Sequence, residues 1–182
     1  MFKELPVITT QRLVLREVKE TDKEAYFKYV SDPDVKTQFR FDYDQEKSAA
    51  RVEELTKRYR DEKDIPKVWA IAKQENDELV GIITLFPTSV MNRFVELTWG
   101  IIAEERGHGY IKEAAQGLIE WLFKNTEVNR IQAMHSELNE YTKKIIEELG
   151  FTYEATLREH YYRDGKFYDR KMYSILRREY EK

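Results

Sequence analysis

Two of the seven glycines in this 182-residue chain stand one residue apart, in Arg106-Gly107-His108-Gly109-Tyr110-Ile111. Apolar residues then recur as Ile111, Ala114, Ala115, Leu118, Ile119, Leu122 and Phe123, which is one face of a helix. A glycine turn at that point leaves the first amides of the helix without intrahelical acceptors, and the missing side chains let a ligand approach bare backbone. The chemistry this permits is phosphate binding at a helix N-terminus. The same pair can also do no more than join a strand tightly to a helix. Metal chemistry is not indicated, because His108, His135 and His160 fall in three separate segments without helical or hairpin spacing to a carboxylate. The absence of cysteine excludes a thiolate nucleophile, a thiolate metal site and a disulfide framework.

The elements that must position the turn follow from periodicity. Phe94 to Ile102 is rich in β-branched and aromatic residues and predicts a strand, so the central unit is strand, glycine turn, helix. Asn129 to His135 predicts a short strand, which a strand-helix-strand crossover places parallel to the first. Earlier, Arg12 to Val18 alternates as a half-buried strand. Thr21 or Asp22 can cap a helix that stops near Asp32-Pro33. A charged surface helix runs from about Gln45 to Arg60, with Ala49, Val52, Leu55, Thr56 and Tyr59 at helical spacing. Lys67 to Lys73 and Leu79 to Phe86 form a hairpin, with Gly81 marking a bulge or a close contact and Pro87-Thr88 closing the second strand. A last helix spans about Glu140 to Leu149, capped by Asn139 and stopped by Gly150. Phe151 to Leu157 and Phe167 to Leu176 form an antiparallel pair around Tyr161 to Lys166. The expected class is α+β: a mixed, mostly antiparallel sheet of six or seven strands with helices on both faces, in a single domain over residues 1–182.

Bulk composition narrows the partners. With 41% hydrophobic and 13% aromatic residues the chain can fill a sizeable core, and 34 acidic against 31 basic residues give a net charge of −3 without blocks of one sign. Nucleic acid is therefore disfavoured as a partner. No run approaches the roughly 18 apolar residues that span a membrane, so a soluble, cytoplasmic protein is expected. Exposed edges of the terminal strands leave a homodimer open.

Glu96, Trp99, Gly107, Gly109 and Glu113-Ala114, followed by Arg130-Ile131, Asn139, Thr142 and Gly150-Phe151, resemble the signature of the GNAT acyl-CoA-dependent N-acetyltransferases. Within them the chain looks most like the branch containing the ribosomal-protein alanine N-acetyltransferases (Rim). The opening Thr9-Thr10-Gln11-Arg12-Leu13-Val14-Leu15-Arg16 and Asp22 also match that branch, so the resemblance covers nearly the whole chain. It implies the fold just described, acetyl-CoA as co-substrate without a metal, and transfer of the acetyl group directly to a primary amine on a protein N-terminus, a peptide or a small molecule. The alternative is a catalytically silent module that binds acyl-CoA.

The resemblance also carries roles onto residues. The strand-end backbone of Ile101 and Ile102 would meet the pantetheine, and the amides of Arg106, Gly107, His108, Gly109, Tyr110 and Ile111 the pyrophosphate. Glu104 stands where the family often has Gln or Arg, leaving Arg106 and His108 as sources of positive charge. Asn139 and Thr142 match residues that line the pantetheine and thioester region, although Asn139 is equally an N-cap. Glu96 is the candidate base: in a strand of Phe94, Val95, Leu97 and Trp99, burial would raise a carboxylate pKa toward working pH. It can equally sit on a solvated face or pair with an arginine. Ile146 replaces the tyrosine that many relatives use to protonate the leaving thiolate, so Thr142, Tyr141 and water remain as candidate acids. Tyr161, Tyr162, Phe167 and Tyr168 either pack as ordinary strand residues or wall the acceptor pocket.

Overall fold

Strand alternation starts the fold, with Leu13 and Leu15 fully buried in β2 (Leu13–Arg16), which pairs with the two-residue β1 (Ile8–Thr9). The structure is a computed structural model and describes residues 4–39, 43–58 and 66–180. A short 3-10 turn leads into α1 (Lys23–Ser31). The expected cap by Asp22 is not made. Its carboxylate is buried against the Arg16 guanidinium at 2.8 and 3.0 Å and accepts from the Lys19 amide at 2.8 Å, so the charge-assisted fork and the preceding turn take its oxygens away from the amides of α1.

The chain does leave α1 at Asp32, but Pro33 opens a second helix that sequence reasoning missed, α2 (Pro33–Phe39). Asp32 caps it, accepting from the amides of Asp34 at 3.0 Å and Val35 at 3.1 Å, and proline at the first helical position loses no bond. Next, α3 (Gln45–Arg58) buries Val52 and Leu55 and packs along α1. Tyr59 and Arg60, expected in this helix, lie outside the described residues.

The hairpin forms as β3 (Lys67–Lys73) and β4 (Leu79–Ser89). β4 does not stop at Pro87; a register shift between Phe86 and Ser89 lets it continue. Gly81 answers both expectations: the bulge falls beside it, and a Cβ there would lie 2.6 Å from the Gly100 carbonyl. β5 (Phe94–Ile101) then delivers the chain through a 3-10 turn to α4 (Tyr110–Asn125), whose predicted apolar stripe is buried. β6 (Arg130–Ser136), α5 (Glu140–Glu148), β7 (Thr152–Arg163), β8 (Lys166–Leu176) and the short α6 (Arg177–Tyr180) complete the order.

The sheet has eight strands in the order β1-β2-β3-β4-β5-β6-β8-β7, all antiparallel except β5–β6. The strand beyond the expected number is β1. β7 also outruns its expected end at Leu157, because the hairpin turn is only Asp164-Gly165, with φ of 49° and 79°, the paired positive values that suit strand twist. A Cβ on Gly100 would lie 2.8 Å from the Tyr29 ring of α1, so the even-numbered residues of β5 face α1, and the odd-numbered ones the opposite face.

Candidate active site

β5 and β6 are paired only through Phe94, Val95 and Glu96 against Arg130, Ile131 and Gln132; past that point they splay. In an antiparallel ladder, alternate residues turn both N–H and C=O to the same neighbour. Ile102 donates to the Val80 carbonyl at 2.9 Å, on the β4 side. Gly100 and Thr98 therefore also face β4, while the N–H and C=O of Trp99 and Ile101 face the splay. Around that gap opens a cleft of about 1190 Å³. Two buried polar atoms on its lining, Thr98 Oγ1 and Trp99 Nε1, have no hydrogen-bond partner among the described residues.

At one end lies the glycine turn. Gly107 and Gly109 take φ of 84° and 78°, the left-handed region where a side chain is strained. The first helical bond of α4 runs from the Glu113 amide to the Gly109 carbonyl, and among the described residues no acceptor meets the amides of residues 107–112. They form a concentrated donor set at a helix N-terminus, suited to an anion. The turn is anchored from outside: Glu113 accepts from Thr10 Oγ1, the Arg12 amide and Arg12 Nε, each at 2.7 Å, and Arg12 Nη1 donates to the His108 carbonyl at 3.0 Å. Burial pushes the Glu113 carboxyl up, but these bonds outweigh it and hold its pKa below the ordinary value.

The side chains expected to bring positive charge are otherwise engaged. Arg106 pairs with Asp32 at 2.6 Å and Asp34 at 3.4 Å, tying the turn to α2. His108 is exposed, stacks on Tyr110 and has Nδ1 3.2 Å from the Glu105 carbonyl. Ile102 differs from Ile101, because its amide donates to Val80 on the β4 side and its carbonyl accepts from Glu105.

Glu96 stands at the apex of the splay, half-buried on the α1 face. Its apolar sequence neighbours Val95 and Leu97 point to the opposite side; on its own face it is paired with Phe86 of β4 and Gln132 of β6, and Gln132 Nε2 donates to its Oε2 at 3.0 Å. Asn139 caps α5, its Oδ1 accepting from the Thr142 amide at 2.9 Å, and both residues line the cleft. Ile146 is fully buried in the core. Tyr141 stays at the rim, where partial burial raises its phenol pKa and nearby Arg106 opposes the rise. The aromatic group divides: Tyr161 is buried in the cleft wall, whereas Tyr162 and Phe167 pack against each other with tilted rings outside it, 47% and 61% exposed.

Sequence reasoning overlooked Gln132, Arg170 and, except as a metal ligand, His135. His135 is buried at the cleft, Nδ1 donating to the Ser136 carbonyl at 2.8 Å, and burial holds its pKa below the usual value despite that bond. Among the described residues no group of side chains is arranged to hold a metal ion.

The sequence pattern of the acetyltransferase (GNAT) domain matches residues 12–152, most of the chain. The chain belongs to that family. Related sequences include the uncharacterized N-acetyltransferase YoaA of Bacillus subtilis, 26% identical over 94% of this chain and 97% of its own. Another is the uncharacterized N-acetyltransferase p20 of Bacillus licheniformis, 27% identical over 97% and 99%. Among solved structures, a GNAT-family acetyltransferase from Bacillus anthracis superposes with a TM-score of 0.83 at 23% identity, covering 95% of this chain and 99% of that one. RimL, a ribosomal L7/L12 alpha-N-protein acetyltransferase in complex with coenzyme A, superposes with a TM-score of 0.77 at 18% identity, covering 94% and 98%. These likenesses establish the α+β fold and make the chain a GNAT acetyltransferase.

Proposed function

We propose that the chain moves an acetyl group from acetyl-CoA directly to a primary amine, with a protein or peptide N-terminus as the favoured acceptor. The observation that carries this is the two-sided cleft: free backbone donors of the glycine turn and of Trp99 and Ile101 on one side, a carboxylate on the other. The likeness to RimL supports a peptide N-terminus, and the RimL complex supports coenzyme A as the carrier.

An amine with an ordinary pKa of about 10.4 (lysine) or about 7.7 to 8.0 (α-amino) is wholly or partly protonated at neutral pH. Glu96, at the apex, takes that proton directly or through one water. Negative charge then develops on the thioester oxygen, and an amide of the splayed β5 strand faces it at no reorganisation cost. Amides 107–112 hold the pyrophosphate, Ile101 lines the pantetheine path with Ile102 packed beneath it, and Asn139 turns its side-chain amide toward the same path. Acetyl-CoA supplies the activated acyl group. With Ile146 buried, the departing thiolate takes its proton from Thr142, Tyr141 or water. The buried Ile146 also favours a second reading, a module that binds acyl-CoA without turnover.

Glu96→Gln decides between them. It keeps the shape and the Gln132 contact and removes the base, so kcat should fall about 10² to 10⁴-fold while the thermal shift induced by coenzyme A stays. Near-normal turnover in the variant rejects Glu96 as base; wild-type protein that binds acetyl-CoA yet acetylates no amine in a broad panel establishes the silent module.

A further inference from the structure

Six carboxylate or guanidinium side chains line the cleft: Asp34, Glu96, Arg106, Glu140, Arg163 and Arg170. Arg106 is taken by Asp32 and Asp34, Arg163 by Asp164 at 3.2 Å, Glu140 by Lys143 at 3.3 Å, and Glu96 by Gln132. Arg170 alone has no carboxylate or hydrogen-bond partner among the described residues. Its guanidinium lies half-buried over the Tyr161 ring, Cζ 5.0 Å from the centroid. A cation over a ring face is held there by the ring's π-cloud, and the guanidinium fork matches the geometry of a carboxylate.

Register says which side of the sheet it serves. Glu96 pairs with Gln132, Gln132 with Ser174, and Ser136 with Arg170, without a shift between β6 and β8. Directly paired residues share a face, so Arg170 and Glu96 are on the same side, facing α1 and α2 rather than the N-terminus of α4. From Ser174 to Arg170 is four residues, roughly 13 Å along the strand at about 3.3 Å per residue, and β8 lies two strands from β5, roughly 10 Å across, so the two backbone positions are about 16 Å apart. The arginine and glutamate side chains span part of that distance, so an extended peptide with its amine at Glu96 brings an acidic side chain to Arg170 within its first few residues.

We propose that Arg170, held by Tyr161, is an acceptor subsite for a carboxylate, so that the acceptor is a peptide N-terminus with an acidic side chain at its second to fourth residue. This rests on the acetyl-transfer reading of the cleft. Arg170 is here a specificity residue, with no part in the proton transfer.

The test uses tetrapeptide amides with a free α-amine that differ only by Glu, Gln or Lys at position 2, 3 or 4, assayed with acetyl-CoA and the full chain. Wild type should favour Glu at one position by about tenfold in kcat/KM, mostly through KM. Arg170→Gln should erase the preference, Arg170→Lys should keep part of it, and Arg170→Glu should turn it toward a lysine peptide, each with an unchanged KM for acetyl-CoA. Titration of the same peptides into protein saturated with coenzyme A reads the subsite without turnover and should show the same order. Indifference of wild type to Glu, a preference that survives Arg170→Gln, or a raised KM for acetyl-CoA in that variant overturns the subsite while leaving acetyl transfer standing. Wild type that neither acetylates any peptide nor gains stability from coenzyme A overturns both.

Discussion

Gln132 Nε2 donates to Glu96 Oε2 at 3.0 Å across the last residue pair that β5 and β6 share. Gln132 is itself buried, and its carbonyl oxygen lies 3.5 Å from Arg130, which is fixed by Glu154 at 2.5 Å and Ser174 at 2.8 Å. The amide aims the Glu96 carboxylate into the cleft without placing a cation on it.

Gln132→Leu removes this aim. A hydrogen bond to a charged group is worth about 1.5–3 kcal/mol, so kcat should drop roughly 10-fold or more while the KM for acetyl-CoA holds. Gln132→Glu should instead move the acid limb of the pH–rate profile to higher pH, since two carboxylates at hydrogen-bond distance resist ionising together. Unchanged profiles in both variants would reduce Gln132 to a strand residue.

The glycine turn should be separable from the fold. Coenzyme A at about 100 times its dissociation constant stabilises by roughly 2.7 kcal/mol, about 5 to 11 °C in melting temperature at this chain length. Gly107 has φ of 84° and open space where a Cβ would be. Gly107→Asn, which tolerates that conformation, should melt near wild type yet lose most of the shift. Gly109→Val forces a β-branched residue to φ of 78° and should lower the melting temperature before any ligand is added. A full shift in Gly107→Asn would remove the phosphate from this turn.

Glu113 should make part of the stability pH-dependent. Its folded pKa lies below the ordinary glutamate value of 4.5, so its contribution is complete above that value and is lost as pH falls through the lower folded value. With Arg12 half-exposed, the bonds are worth about 1 kcal/mol after screening. Glu113→Gln should be less stable than wild type by that order at pH 7, and urea midpoints of the two should converge in acid. A gap that persists at a pH well below the folded value would mean packing, and not charge, holds the turn.

Asn139 has two jobs to separate. Asn139→Asp retains a capping oxygen and should leave stability within a few tenths of a kcal/mol, whereas Asn139→Ala should cost about 1 kcal/mol. Both lose the side-chain N–H₂ and should raise the KM for acetyl-CoA. Unchanged KM in both would leave Asn139 a cap and nothing more.

Local chemistry in the sequence was enough to place the strand, glycine turn and helix at 94–125, the parallel crossover to β6 and the Asn139 cap. Each depends on residues within a few positions: periodicity, absent Cβ atoms, a side chain that reaches its own helix. The reversal at Tyr161 to Lys166 was read on the same terms, but not that its turn narrows to Asp164-Gly165. Competition between distant partners was not legible. Asp22 is drawn from its helix by Arg16, Arg106 is drawn from the turn by Asp32 at the start of α2, and Glu96 takes a hydrogen bond from Gln132 although its sequence neighbours are apolar. Only tertiary structure settles these, because a side chain's environment is set by whichever strand lies beside it. The splay is the clearest case: where β5 and β6 part is fixed by the length of their pairing, and that decides that Glu96, Gln132, Tyr161 and Arg170, far apart along the chain, stand together around one cleft.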